Sequence, residues 1–320
     1  QSLPSNHEHR GMVRDAIRRC ANGLRLQFRE GMAYVENMGT SINTKYDEFG
    51  ANQSPNYNNR LYFSSARPGS MGGLRNHFGR PDELMGQYRN DMYSIIKQED
   101  QWQNLRPLHY FLNSPQHEVV FGFNQNGRVL YYYKGNQLEG GQIFVDTFRQ
   151  GNQILASDPF FGPVDALATF TAPHFVDSKT ILFASRRAGG YGGFDIYQTT
   201  YISGEWTEPQ NLGPDINTSY DETTPYLAAD GKTLYFSTNN SNTSIGGFDV
   251  FKSVYNSELK RWSKPYNLGL PINSTGDDTH LKLAKDGYTA YFTSNRKDGL
   301  GKRDIYVAYF FDYLNETKSH

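Results

Sequence analysis

Carboxylates recur at one place along the chain, and carboxylates are the groups that could coordinate a metal ion or perform acid-base catalysis. The set is Asp47-Glu48, Glu118, Asp221-Glu222 and Asp277-Asp278. Each precedes the first strand of a repeated unit, so the set predicts a ring of carboxylates around one mouth of a channel. The competing interpretation is structural: each carboxylate pairs with a repeated basic side chain, such as Arg67, Arg186 or Arg296. We favour the structural interpretation, because a ligand site normally breaks the symmetry of a repeat.

Other sequence patterns that carry chemistry give little support for an enzyme. The chain has no G-x-S-x-G elbow, no H-E-x-x-H pair and no clustered cysteines and histidines. His174 and His280 are expected to be histidines of the core. The glycine-rich loop 189–193 joins two strands and no helix follows it, which argues against a phosphate cradle. We therefore predict no catalytic residue, no metal site and no cofactor.

A short aromatic segment reveals an internal repeat. Its five copies are Asp91-Met92-Tyr93, Gln142-Ile143-Phe144, Asp195-Ile196-Tyr197, Asp249-Val250-Phe251 and Asp304-Ile305-Tyr306, at successive spacings of 51, 53, 54 and 55 residues. Turns such as Asn126-Gly127 and Asp230-Gly231 keep the same phase, and so do Trp102, Trp206 and Trp262. Four short strands in a repeat of about 50 residues are typical of a propeller blade. The pattern predicts an all-β, five-bladed β-propeller with four-stranded blades.

The fifth repeat has no outer strand of its own before His320, and the N-terminal segment is expected to supply it. Residues 38–44 (MGTSINT) repeat residues 212–218 (LGPDINT). We therefore expect residues 24–35 to form the outer strand of the last blade, so that the ring closes without an exposed edge. Residues 11–22 are compatible with a helix. The predicted organisation is an N-terminal arm or short helix over 1–23 and a propeller over 24–320.

Charge and hydropathy narrow the possible partners. The chain has 32 Lys and Arg against 33 Asp and Glu, so it has no overall positive field for nucleic acid. No apolar run reaches the roughly 20 residues of a membrane-spanning helix, and we expect no insertion into a membrane. A chain that begins at Gln1 and not at Met fits either a mature protein after removal of a signal peptide or a shortened chain, and we favour export.

The repeat unit is similar to a known family. Residues 230–237 (DGKTLYFS), 192–197 (GGFDIY) and 206–222, from Trp206 to Glu222, resemble the TolB-like, WD-like propeller repeats of Bacteroidetes outer-membrane proteins. Such repeats occur in OmpA-family proteins and in components of type IX secretion and gliding. The resemblance covers about residues 24–310. It implies a non-enzymatic scaffold or adaptor, periplasmic or at the cell surface, associated with the outer membrane through protein subunits of an envelope complex.

The first repeat departs from the pattern by an insertion. Its loop from Ser65 to Asn90 is about 15 residues longer than its counterparts, and it is rich in the residue types enriched at protein interfaces. The predicted partner-binding residues are Arg75, His77, Phe78, Arg80, Tyr88 and Arg89. A mobile insertion without a partner is the alternative for this loop. For the whole protein, the alternative is a glycan-binding or glycan-cleaving propeller with Glu118, Asp221 and Asp277 as its acids.

Overall fold

A computed structural model describes residues 7–73, 88–147, 156–164 and 172–311. The first two blades are each a four-stranded antiparallel sheet. Blade 1 contains β2 (Glu48–Gln53), β3 (Arg60–Ser65), β4 (Asp91–Gln98) and β5 (Gln101–Pro107). Blade 2 contains β6 (His117–Phe123), β7 (Val129–Gly135), β8 (Gln142–Thr147) and β9 (Asp158–Pro159).

In the third and fourth blades the outermost strand is split into two short pieces that both pair with the third strand. Blade 3 contains β10 (His174–Phe175), β11 (Thr180–Ser185), β12 (Asp195–Ile202), β13 (Glu205–Trp206) and β14 (Gln210–Asn211). Blade 4 contains β15 (Glu222–Leu227), β16 (Thr233–Thr238), β17 (Asp249–Asn256), β18 (Arg261–Trp262) and β19 (Tyr266–Asn267).

The fifth blade is assembled from both ends of the chain. It contains β20 (Asp278–Leu283), β21 (Thr289–Ser294) and β22 (Asp304–Phe310), with β1 (Ala33–Asn37) as its outer strand. β1 runs antiparallel to β22, with Ala33 opposite Phe310 and Asn37 opposite Tyr306. The inner strands of neighbouring blades are in contact around the whole ring, including β2 with β20 across the seam. The predicted five-bladed propeller, closed by an N-terminal strand, is confirmed.

The position of the closing strand differs from the expectation of residues 24–35. Residues 24–26 belong to α1 (His7–Leu26), and the strand begins only at Ala33. The helix continues to Leu26 because residues at helical spacing bind blade 4. Arg19 donates to the carbonyl oxygens of Asn239 and Gly247, both at 2.9 Å, and Asn22 Nδ2 donates to the carbonyl oxygen of Ser244 at 2.9 Å.

The core lies between the blades as apolar layers. Leu182 and Ile196 of blade 3 pack with Leu234 and Phe236 of blade 4. The β-branched and aromatic residues of the second and third strands fill these layers, because strands bury alternate side chains on each face of the sheet. Trp262 packs against the same layer from the outer strand. Each blade therefore depends on its neighbour for burial of its apolar surface.

Candidate functional site

The two faces of the ring carry different loops. Because consecutive strands of a blade are antiparallel, the links between blades emerge on the same face as the loops that join the second and third strands. We call this the link face; it carries the links 38–47, 108–116, 212–221 and 268–277. The opposite turn face carries the tight turns between the first and second strands. Helix α1 lies on the link face, because it binds the loop 239–247 of blade 4.

One carboxylate at each of these repeat positions is buried and holds the link that precedes it. It is the second member of the three pairs and Glu118 in blade 2. Glu222 accepts hydrogen bonds from the backbone N–H of Thr218 at 2.8 Å and from its hydroxyl at 2.6 Å. Glu48, Glu118 and Asp278 make the same pair of bonds to the residue four positions earlier. Burial raises the pKa of these carboxyls, and that of Glu118 to about 8. These side chains therefore serve the blade.

The preceding aspartate joins one blade to the next. Asp221 accepts a hydrogen bond from the backbone N–H of Phe194 in blade 3 at 2.9 Å and from Asn239 Nδ2 in blade 4 at 2.8 Å. Asp277 repeats both bonds one blade further on. The basic partners proposed from the sequence are in place, with nitrogen–oxygen distances of 3.5 Å for Arg67 and Glu48, 3.7 Å for Arg186 and Asp221, and 2.9 Å for Arg296 and Asp278. The carboxylates are held in contacts that join strands, links and blades.

In blades 3, 4 and 5 the aspartate at the start of the third strand holds a glycine-rich loop. Asp249 accepts hydrogen bonds from the backbone N–H groups of Ile245 and Gly246 at 2.6 and 3.0 Å. Asp195 and Asp304 bind their own loops in the same way. The backbone donors that could have cradled a phosphate are therefore already paired with a carboxylate.

The long loop of blade 1 is described only at its base. Arg75, His77, Phe78 and Arg80 lie outside the described residues. Tyr88 forms a β-bridge with Gly73 and is buried, with its ring edge-on to Tyr46 at 5.3 Å. Arg89 donates to the carbonyl oxygen of Pro115 at 2.9 Å, which joins the base of the loop to the link between blades 1 and 2.

That link carries an aromatic cluster that the sequence analysis missed. The rings of His109, Tyr110 and Phe111 lie 4.1 to 5.3 Å apart, centre to centre. Tyr110 is 62 % exposed and Phe111 is 44 % exposed. The corresponding links read Met-Gly-Thr-Ser-Ile, Leu-Gly-Pro-Asp-Ile and Leu-Gly-Leu-Pro-Ile, whereas residues 108–112 read Leu-His-Tyr-Phe-Leu. Alignment of the links, and not only of the strands, would have found this substitution.

The turn face has a central cavity of about 750 Å³ that is lined by all five blades. Of the described residues that line it, Asp230 alone carries a carboxylate, and this group accepts bonds from Lys232 and Thr233 of its own turn. Glycoside cleavage by a pair of carboxylates needs two such groups facing the sugar. Within the described ranges, no three His, Cys, Asp or Glu side chains are grouped so that they could hold a metal ion.

Comparisons with known proteins identify similar folds only. No family model matches the chain, and no curated protein matches it. Among solved structures, a TolB-type protein from Agrobacterium tumefaciens is 13 % identical, with a TM-score of 0.46, over 87 % of this chain and 98 % of that one. TolB from Acinetobacter baumannii is 13 % identical, with a TM-score of 0.40, over 67 % of this chain and 48 % of that one.

A glycoside hydrolase is also among the similar structures. The α-L-arabinofuranosidase from Lactobacillus brevis is 13 % identical, with a TM-score of 0.49, over 84 % of this chain and 91 % of that one. At such identities the likeness concerns the fold alone, and it supports neither a binding role nor an enzymatic one. The helix of the described residues, α1, is not apolar enough to cross a membrane.

Proposed function

We propose that this propeller is a non-enzymatic adaptor that binds a protein partner in an envelope-associated assembly through its link face. The observation that carries the proposal is the exposed aromatic cluster His109-Tyr110-Phe111, which stands where the repeat breaks its pattern. A few residues, enriched in Trp, Tyr and Arg, carry most of the binding free energy at protein interfaces. Other links have Gly-x-x at these positions, so a blade can be built without aromatic rings there.

Neighbouring features extend the same surface. Arg89 lies beside the aromatic link, bonded to Pro115, and the long loop of blade 1 begins and ends there. Arginine is enriched at interfaces because its planar guanidinium makes several hydrogen bonds in a fixed geometry. The loop residues predicted from the sequence to bind a partner, Arg75, His77, Phe78 and Arg80, belong to this loop.

Helix α1 adds a second apolar surface to the link face. Its inward side is polar and binds blade 4 through Asp15, Arg19 and Asn22. Val13, Ile17 and Leu24 lie on its opposite side and are exposed, and Phe28, just beyond the helix, is 85 % exposed. A helix that binds its own domain by its polar side leaves an apolar side for another molecule.

Site-specific photo-crosslinking tests the proposal. A photoreactive phenylalanine analogue placed at Tyr110 should crosslink a protein in the native envelope, whereas the analogue placed at Tyr57, which is 54 % exposed on the turn face, should not. The captured protein, once purified, should bind the Tyr110→Ser/Phe111→Ser variant at least about tenfold more weakly than the wild type. The Tyr57→Ser variant is the matched control and should bind as the wild type does.

A second variant tests the loop separately. Because Gly73 and Tyr88 form a bridge and Arg89 bonds to Gly72, replacing residues 74–87 with a short Gly-Ser linker preserves the base of the loop. Folding should persist, since loop length changes the free energy of unfolding only slowly, and partner affinity should fall. If neither variant weakens binding, neither the aromatic cluster nor the long loop is the interface, and the proposal is wrong.

A further inference from the structure

One position of the inner strands carries a different residue type in each of the five blades. In blades 1, 2, 4 and 5 it lies four residues after the buried carboxylate, and in blade 3 it is the residue at the corresponding place in the strand. The five residues are Asn52, Gly122, His174, Tyr226 and Lys282, and all five line the central cavity. The buried carboxylate at the start of these strands repeats in four blades, whereas the residue type at this cavity position does not repeat. A position that differs in every blade, on the axis of the ring, is where a repeat protein can build an asymmetric site.

Lys282 is the cation of this set, and the neighbouring blades hold it in place. Its Nζ donates to Asn52 Oδ1 of blade 1 at 2.7 Å and to the carbonyl oxygen of Phe121 in blade 2 at 2.5 Å. Gly122 lies beside this contact, since a Cβ there would be in ordinary van der Waals contact with Asn52 Oδ1 at 3.4 Å and with Lys282 Nζ at 3.8 Å. An ammonium group has three N–H donors, so the two bonds leave one donor for a ligand.

Among the described residues that line the cavity, Asp230 carries the one carboxylate that could neutralise the charge of Lys282, and it lies at the rim. Asp230 is held by its own turn and Lys252 interacts with it. His174 adds no charge at neutral pH, because burial lowers its pKa to about 3. Burial likewise lowers the pKa of Lys282 to about 7, which an anion placed beside the amine would raise again.

The remaining wall is largely apolar. Phe121, Phe175 and Leu283 line the cavity together with the Tyr226 ring, which lies 4.8 Å from that of His174. A volume of about 750 Å³ falls within the range of sites that enclose small organic ligands. The cavity therefore combines the amine of Lys282 with aromatic and aliphatic surface.

We propose that the central cavity binds a small organic anion, with its carboxylate against Lys282 Nζ and its apolar or aromatic body against Phe175, Tyr226 and Leu283. The anion supplies a negative charge beside Lys282, and Asn52 and Phe121 already orient the amine that meets it. This site opens on the turn face, away from the aromatic cluster, so it stands or fails independently of the adaptor function.

Paired probes test the charge requirement directly. 4-Phenylbutyrate and its neutral amide have the same body, and titration calorimetry at pH 6.5 should show the carboxylate binding at least about tenfold more tightly. Lys282→Met should abolish this difference. Lys285→Met, which removes an exposed lysine at the rim of the same cavity, is the matched control and should retain it.

The wild-type protein alone supplies a further readout that does not depend on the folding of a variant. Because the anion binds the protonated amine, affinity for the carboxylate should fall as the pH rises from about 6 to 9, while affinity for the amide should stay constant. The Nζ resonance of Lys282 should report a higher pKa when the carboxylate is bound. Equal binding of the two probes, or failure of both to bind, overturns the proposal.

Discussion

Asn37 of the N-terminal strand donates a hydrogen bond to Asp304 of the last strand, with 2.8 Å between Nδ2 and Oδ2. The same bond joins Asn211 to Asp195 in blade 3 at 2.8 Å and Asn267 to Asp249 in blade 4 at 2.6 Å. The closing strand therefore reproduces the side-chain contacts of an ordinary outer strand, although it comes from the other end of the chain. The same asparagine–aspartate bond therefore joins the outer strand to its neighbour in the last blade and in blades 3 and 4.

Replacing Asn37 with Ala should destabilise the protein by about 1–3 kcal/mol, because Asp304 is buried and would lose a donor. Asn211→Ala removes the matching bond in blade 3 and should cost about as much. Urea unfolding measures both free energies. A loss at Asn211 without a loss at Asn37 would mean that the N-terminal strand contributes little to the ring.

Truncation distinguishes the strand from the helix that precedes it. Deleting residues 1–37 removes β1 and leaves the outer backbone groups of β22 unpaired, which should cost several kcal/mol and lower the melting temperature of the whole domain. Deleting residues 1–31 removes α1 and keeps β1, so it should cost much less. Equal melting temperatures for the intact protein and the 1–37 deletion would contradict closure by this strand.

Gly246 should not tolerate a side chain. A Cβ at this position would overlap the carbonyl oxygens of Ser274 and Gly276 in the link to blade 5, so Gly246→Ala should destabilise by about 1–3 kcal/mol or more. Gly11→Ala is the control, since a Cβ at Gly11 in α1 meets nothing within 4 Å and alanine favours a helix. The melting temperature should fall for Gly246→Ala and rise for Gly11→Ala. An unchanged melting temperature for Gly246→Ala would show that the link to blade 5 can move to make room for a methyl group.

Glu118 should make stability depend on pH. Its folded pKa of about 8 lies above the value of 4.5 for an exposed glutamate, so the folded state binds the extra proton. Its contribution is fully present below pH 4.5 and is lost as the pH rises through 8. Glu118→Gln keeps a neutral acceptor for Ser114. Between about pH 5 and 9 the free energy of unfolding of this variant should therefore fall less than that of the wild type. The difference in slope should be at most about 1.4 kcal/mol per pH unit.

Glu48→Gln tests a buried ion pair at the same repeat position. Glu48 also accepts from Ser65 and pairs with buried Arg67 at 3.5 Å, so its loss leaves a buried cation without its partner and should destabilise. Urea titrations at several pH values measure both profiles. Parallel profiles for the wild type and Glu118→Gln would show that Glu118 does not titrate in this range.

The repeat predicted the blades because apolar and turn residues recur at fixed spacing, and those residues determine strands and their packing. The same reasoning misplaced the closing strand, since Leu24 and Leu26 fit either a strand or a helix and only the contacts of Arg19 and Asn22 with blade 4 favour the helix. The repeat pattern did not predict a role for Tyr110 or Lys282. Both occupy repeated positions with an unrepeated residue type, and their importance appears only when the ring brings five blades around one axis.

The antiparallel seam also determines how the ring responds to force. Ala33 and Phe310 form the last pair of the seam, and the chain leaves β1 and β22 at that same end. Once α1 has been pulled from blade 4, a pull that separates the two chain ends therefore loads the backbone hydrogen bonds one pair at a time, beginning with Ala33 and Phe310, and never all five pairs together. Such unzipping needs less force than shearing of the same strands, so the propeller should open at this seam under a tension that leaves its other four blades intact.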